Sequence, residues 1–503
     1  YYVFMGYIEF ANYIQKIIHR SSEIFDKNRE FYIKKKINKL FKNRLLVIDE
    51  IHNIRLTDDD TSLFENKKDK SQEIKDKKKV ASHLLKLIKY VDQMKLLFLS
   101  ATPMFNDPKE IVFLLNLFNM NDKRALIRIS DIFDKNGDLK VKNGKEIGKE
   151  LLILKSRGYI SYVRGENPYT FPYAIFPKQF ENEKSLFSMN YPSTMFNGNL
   201  ITDPIQYSDL YINVVRGNQE ITYLKLINDL KKNMTNEEME TFTSSESFGY
   251  NMIMKHLECL NMSYPIKEIE NEENINIFTG KKGLKEFMTY KSSITPPIKN
   301  NFKYRDIKKY GRIFSMENIS SYSVKIHNIM LEILKSKGIV LVYSQYIDSG
   351  IIPLCLALEE LGFKRYGERE KSLFYQDVSN KDYKFEKRDS QTMKLYSELK
   401  EYDVKTQAKY IVISGDSSLS PNNKEELIAA SAENNKYGAM IKVLLISQAG
   451  SEGLDFKNIR QVHLLEPWYN RSRLDQVIGR AIRNCSHKSL PLEERNVCVY
   501  QHA

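Results

Sequence analysis

The string Gln476 to Arg483, QVIGRAIR, places Gln476, Arg480 and Arg483 in the spacing Gln-x-x-Gly-Arg-x-x-Arg. If the segment is a helix, Arg480 and Arg483 project from one face, one turn apart. A guanidinium is a planar fork of donors, charged at any relevant pH, and it matches phosphate oxygens well. Two of them against one phosphate make an arginine-finger arrangement, which stabilises charge at a γ-phosphate during transfer. A basic surface helix with a glycine near its middle accounts for the same residues, so the rest of the chain has to decide.

A second group of residues could do the complementary chemistry. The apolar run LLVID ends at Asp49, followed by Glu50, Ile51 and His52. Adjacent acids at the C-terminal end of a buried strand sit where ligands bind in open parallel sheets. Asp49 is assigned to Mg²⁺, held through its waters, and Glu50 to the base that orients and deprotonates an attacking water. An acidic strand-to-helix N-cap is the plain structural reading of the same pair. About fifty residues on, KLLFLSATP supplies Ser100 and Thr102. Their hydroxyls can relay hydrogen bonds between the carboxylates, His52 and a neighbouring domain. In SQAGSEGLDF, Gly450 and Gly453 permit close backbone approach, and Asp455 can accept from a ribose hydroxyl or hold an arginine. Trp468, the one tryptophan, reads as a packing residue at a domain interface.

The elements that must position these groups are short β-rich runs: LLVID, KLLFLS, IVLVYS (339–344), YIVIS (410–414), VLLIS (443–447) and QVHLLE (461–466). Helical patterns such as SHLLKLIKYVDQM and GIIPLCLALEELGF lie between them. Strands buried on both faces and separated by helices indicate an α/β fold with parallel sheets. Two such clusters are expected, residues 1–120 and 321–503, with a largely helical insertion at 121–320. The charged stretch Glu65 to Lys79 reads as a solvated loop, Glu268 to Glu273 as an acidic surface loop, and Gly158 to Tyr173 as an aromatic packed loop with possible nucleic-acid contact.

A chain of 503 residues suggests about three domains. Its hydrophobic fraction of 42% and charged fraction of 28% are ordinary for a globular protein. The longest apolar runs fall far short of the roughly 20 residues a membrane span requires. The net charge of +13 favours a polyanionic partner, although usage rich in Lys, Asn, Ile and Tyr also tracks an A/T-leaning genome. Cys259, Cys355, Cys485 and Cys498 form no Cys-x-x-Cys pair, which argues against a structural zinc site and fits a reducing compartment. The opening at Tyr1 and the ending inside the strand-like VCVYQHA suggest a piece of a longer protein.

In chain order, DEIH, SAT, IVLVYS, GSEGLDF and Gln-x-x-Gly-Arg-x-x-Arg resemble the motif series of the superfamily 2 helicases and translocases, over both α/β clusters. ATPMFNDPKEIVFLLNLF and LEPWYNRSRLDQVIGRAIR look like the Snf2-type versions. YYVFMGYIEFANYI, GYISYVRGENPYTFPY and SGDSSLSPNNKEEL are similar to helicase-type proteins of large nucleocytoplasmic DNA viruses. That group includes the small subunit of poxvirus early transcription factor and poxvirus nucleoside triphosphate phosphohydrolase I.

The resemblance implies two RecA-like domains with ATP and Mg²⁺ in the cleft between them, Asp49 and Glu50 from one side and Gln476, Arg480 and Arg483 from the other. It implies movement along nucleic acid, duplex DNA favoured, with no membrane partner. A second reading is a transcription-initiation subunit that binds promoter DNA beside a large factor subunit or viral RNA polymerase and uses ATP only for release or remodelling. A third is a packaged protein with a degenerate ATP site. A viral protein of this kind belongs in the virion and the host cytoplasm. One motif departs from the family: no Gly-x-x-x-x-Gly-Lys-Ser/Thr loop occurs in the chain. Truncation explains that gap, and the 503 residues alone are expected not to hydrolyse ATP.

Overall fold

A computed structural model describes the chain apart from residues 1, 20–28, 55–71, 105–106, 136, 163–166, 168, 190, 196–197, 203, 235–249, 266–277, 291–301, 368–371, 375–382, 418, 449–453 and 468–470. Contacts divide it into two units, Tyr1–Gly165 and Glu166–Ala503. Residues 121–320, expected as one insertion, are split by this division. Those up to 165 group with the first unit and the rest with the second.

In the first unit, strands β1 (Leu45–Ile48) and β2 (Lys95–Phe98) pair in parallel, Ile48 opposite Phe98. Helices Tyr7–His19, Arg29–Phe41, Gln72–Tyr90 and Glu110–Asn121 supply the core around them, with Ala11, Ile14, Ile37, Leu84, Leu87 and Leu117 buried. The helix Gln72–Tyr90 corrects part of the expected charged loop, since residues 72–79 are helical. Gln, Glu and Lys are good helix formers, and Val80, Ala81, Leu84, Leu87 and Ile88 give the segment an apolar stripe to dock.

A second correction concerns burial. Both faces of β1 and β2 were expected to be covered, yet Leu45 and Val47 are 57% and 50% exposed, and Leu97 and Leu99 are 44% and 43% exposed. Side chains alternate across a strand. The described helices cover the face of Ile48 and leave this one open.

The second unit does meet the expectation. Among the described residues seven strands form one sheet in the order β3 (Tyr173–Ile175), β11 (Asn496–Gln501), β10 (Ile459–Leu464), β6 (Ile339–Tyr343), β9 (Val443–Ile446), β8 (Lys409–Ile413), β7 (Lys364–Arg365). Every neighbouring pair is parallel. Alternation sorts the side chains into two cores. Val340 and Val342 of β6, Tyr410 and Val412 of β8, and Val443 and Leu445 of β9 face one core, with helices Val324–Lys335 and Ile352–Glu360. Leu341, Ile411 and Leu444 face the other, with Leu474 and Val477 of the helix Arg471–Ala481. Residues from the expected insertion belong here as well. The hairpin of β4 (Met288–Tyr290) and β5 (Phe302–Tyr304) places Met288 and Phe302 in the first of these cores. Tyr173, at the end of the expected packed loop, begins the edge strand β3.

Candidate functional site

The first unit gathers the candidate carboxylates and hydroxyls at the C-terminal ends of its two strands. β1 delivers Asp49 and Glu50, and the single turn Ile51–Asn53 then brings His52 back under the sheet, 4% exposed. The reversal requires Glu50 to adopt φ 51°, a left-handed conformation that a residue with a Cβ rarely holds. Backbone bonds from Leu99 N–H to Ile48 O at 2.9 Å and from Ile51 N–H to Leu99 O at 3.1 Å stitch this turn to the end of β2.

Across that seam the side chains form a chain of contacts. His52 Nδ1 lies 2.8 Å from Ser100 Oγ and 3.3 Å from Glu50 Oε2, and Ser100 Oγ accepts the Thr102 N–H at 3.0 Å. The four residues singled out as carboxylate, histidine and relay hydroxyls are therefore joined, with the buried imidazole in the middle. Thr102 enters through its backbone N–H. Asp49 is exposed, and its Oδ1 accepts the Glu50 N–H at 3.1 Å.

No group of three or more His, Cys, Asp or Glu side chains that could cage a metal occurs among the described residues. One exposed carboxylate at a strand end is a donor set that suits Mg²⁺. That ion keeps most of its waters and takes its remaining ligands from phosphates.

Sequence reasoning missed Tyr7. Its hydroxyl donates to the backbone oxygens of Asp49 and Glu50, the latter at 3.2 Å, and so braces the strained turn. A lone tyrosine forty-odd residues upstream carries no sequence signal for that role.

The second unit holds the arginines. Gln476 and Arg480 lie on the helix Arg471–Ala481, but Arg483 lies beyond its end. The expected pair on one helical face is thus corrected, because the helix ends two residues before Arg483. Both guanidiniums nevertheless turn to the same stretch of chain. Arg480 Nη1 donates to Leu454 O at 3.4 Å, and Arg483 Nη1 to the carboxylate of Asp455. Arg483 Nε reaches back to Gly479 O at 3.0 Å, closing one of the helix's terminal carbonyls. The Asp455 side chain is 74% exposed and that of Arg483 39% exposed, so this ion pair is screened by water. Gly450, Gly453 and Trp468 lie outside the described residues.

Comparison with known proteins adds an independent line. Residues 378–485 match the family described as helicase conserved C-terminal domain. "Putative ATP-dependent RNA helicase R563" of Acanthamoeba polyphaga mimivirus is 27% identical over 97% of this chain and 65% of its own length. "Putative ATP-dependent RNA helicase L538" of the same virus is 29% identical over 68% of this chain and 57% of its own. The "Termination factor NPH-I homolog" of African swine fever virus (isolate Warthog/Namibia/Wart80/1980) is 26% identical over 90% of this chain and 55% of its own. The chain spans between one half and two thirds of the length of these relatives. The motif series, the family match across the arginine-bearing segment and the viral relatives agree: the chain carries a helicase conserved C-terminal domain and is similar to superfamily 2 helicases of large DNA viruses.

Proposed function

We propose that the whole protein to which this chain belongs is an ATP-driven motor on nucleic acid, with double-stranded DNA as the favoured track, working in viral transcription. The observation that carries this reading is the contact chain Glu50, His52, Ser100 and Thr102 at the ends of two parallel strands. In this reading Glu50 takes a proton from the attacking water. Asp49 would hold Mg²⁺, which would supply positive charge to the transferring phosphate. Arg480 and Arg483 stabilise that charge in the closed, ATP-bound state, with Gln476 beside them. Asp455 hands Arg483 over from its own carboxylate to the phosphate. His52, Ser100 and Thr102 pass the state of the site to the rest of the motor.

A second reading for the same site is a transcription-initiation subunit that binds promoter DNA with a partner such as a large factor subunit or viral RNA polymerase and uses ATP only for release or remodelling; a relative named as a termination factor supports a part in transcription. Either reading places it in the virion and the viral factory of the host cytoplasm. A Glu50→Gln variant of the whole protein decides whether the site hydrolyses ATP. ATP binding should survive while turnover falls by about two to four orders of magnitude, the usual weight of a general base. Near-normal turnover would overturn the assignment. DNA-stimulated turnover by the protein alone supports the autonomous motor, and turnover only in a stoichiometric complex supports the second reading.

A further inference from the structure

The helix Arg29–Phe41 docks on the first unit through Ile33 and Ile37, both buried. Residues three and four apart share a helical face. That pair therefore fixes which side meets water: the side of Lys35 and Lys39, with Lys34 and Lys36 on its flanks, all four exposed. Lys42 extends the row, because its N–H still donates to Asn38 O at 2.8 Å and keeps the helical path. Arg44 follows, also exposed. At the other end of the row stand two exposed aromatics, Phe31 at 65% and Tyr32 at 43%.

Helix stability does not call for this row. Like charges three and four residues apart weaken a helix. The helix dipole rewards a cation in the last turn, which covers Lys39 but not Lys34, Lys35 or Lys36. A solvated helix face ordinarily mixes signs, as the helix Gly217–Asn233 does with Glu220 and Asp229 beside Lys225 and Lys232. The acids beside the row are already engaged. Glu30 accepts from the Tyr90 hydroxyl at 3.0 Å. Asp92 meets Lys123 Nζ at 3.0 Å and accepts the Asn38 side-chain amide at 3.4 Å. Its carboxyl is held below the usual range first by Lys123 and then by the charges of Lys34 and Lys42. The positive charge left over faces water. It also lies away from the candidate catalytic residues: Arg44 precedes β1 and Asp49 follows it, so the length of the strand, roughly 16 Å of extended chain, separates them.

We infer that this row is a nucleic-acid contact of its own, in which Lys35, Lys39, Lys42 and Arg44 hold the phosphates of a single strand and Phe31 and Tyr32 stack on its bases. Lysine meets phosphate as a point charge and reads no sequence. Stacking needs base faces, which a single strand offers and a duplex hides. An acidic protein surface would match the charges and leave both rings unused. The contact involves no ATP, so it stands apart from the function proposed above.

Fluorescence anisotropy of a labelled, mixed-sequence single strand of about 16 nucleotides, titrated with the 503-residue chain at several salt concentrations, tests it. In the triple variant Lys35→Gln, Lys39→Gln, Lys42→Gln the slope of log affinity against log salt should become shallower by about 2, three contacts at about 0.7 each. That is about a hundredfold in affinity at 0.1 M salt relative to 1 M. Glutamine keeps the helix, which circular dichroism checks. The double variant Phe31→Ala, Tyr32→Ala should weaken the single strand by about tenfold with the slope unchanged, and leave duplex affinity where it was. An unchanged slope in the triple variant overturns the contact, as does an equal loss of slope in Lys225→Gln, Lys231→Gln, Lys232→Gln, which would mark a diffuse attraction. Single-strand affinity unaltered in the aromatic variant, or displacement of the strand by polyglutamate at equal charge, overturns the assignment to a single strand. A whole protein that hydrolyses no ATP refutes the proposed function and leaves this binding result standing.

Discussion

Replacing Ser100 by Ala removes one oxygen that serves two bonds, to His52 Nδ1 at 2.8 Å and from the Thr102 N–H at 3.0 Å. Each bond contributes about 0.5–1.5 kcal/mol net, and a buried group left without its partner costs more. His52 keeps Glu50 at 3.3 Å, which limits the loss on its side. The expected cost is therefore about 2 kcal/mol, the middle of the summed range of about 1–3 kcal/mol. For a unit the size of Tyr1–Gly165 that lowers the unfolding midpoint by about 4–8 °C.

The functional consequence is separable from the thermal one. ATP affinity of the whole protein should hold, while nucleic-acid stimulation falls because the imidazole has lost its orienting partner. Thermal unfolding of Ser100→Ala, His52→Ala and the double variant gives the coupling directly, expected at about 0.5–1.5 kcal/mol. Additivity within about 0.3 kcal/mol would refute the contact chain, as would a loss of ATP affinity that matches the loss of turnover.

Burial pushes His463 down to about 3 and His487 to about 4, and lowers His502 well below its ordinary value. Below the ordinary 6.5 the unfolded chain binds protons that these folded histidines refuse, so their contribution to the stability of the second unit falls as pH drops from 6.5 towards 4. Each contributes about 1.4 kcal/mol per pH unit, while Glu258, Glu359, Glu360 and Glu466, whose carboxyls burial raises, work the other way. Denaturant unfolding across that range should show the slope reduced by one proton in His463→Gln; an unchanged slope contradicts it. Among the cysteines, exposed Cys485 should label with a thiol reagent in the folded chain. Cys259, its thiol pushed up to about 12 by burial, and the fully buried Cys355 should label only on unfolding, as mass spectrometry of timed samples would show.

The strands were legible because each is an apolar run too short for a helix. In the second unit the alternation of Val340, Leu341 and Val342 into opposite cores is that pattern made physical. The same reasoning failed for Leu45 and Val47, where an apolar run exposes one face; a run reports which residues could be covered, and covering is supplied by other elements. The candidate site was legible in its residue types, since Glu50, His52 and Ser100 come together as their chemistry suggested.

Its geometry was less so. Arg483 falls beyond its helix because the point at which a helix ends is settled by competition over a few backbone carbonyls, here with the Arg483 side chain itself bonded to Gly479 O. Tyr7 and Glu466 make contacts with residues distant in sequence. LLEP reads as a strand followed by a turn, and nothing in it reveals that the carboxyl folds inward to meet Ser344. The edge strand β3 was hidden in a segment too short and too aromatic to show a period.

The central claim is that Arg483 leaves Asp455 to stabilise a transferring phosphate. Single-turnover ATP hydrolysis by the whole protein, with nucleic acid and saturating ATP, tests it most directly in Arg483→Ala. The rate should fall by about 10³-fold or more, the weight of an arginine finger, while ATP still binds. A rate within about threefold of the parent, a difference of under 1 kcal/mol in the barrier, would contradict the account.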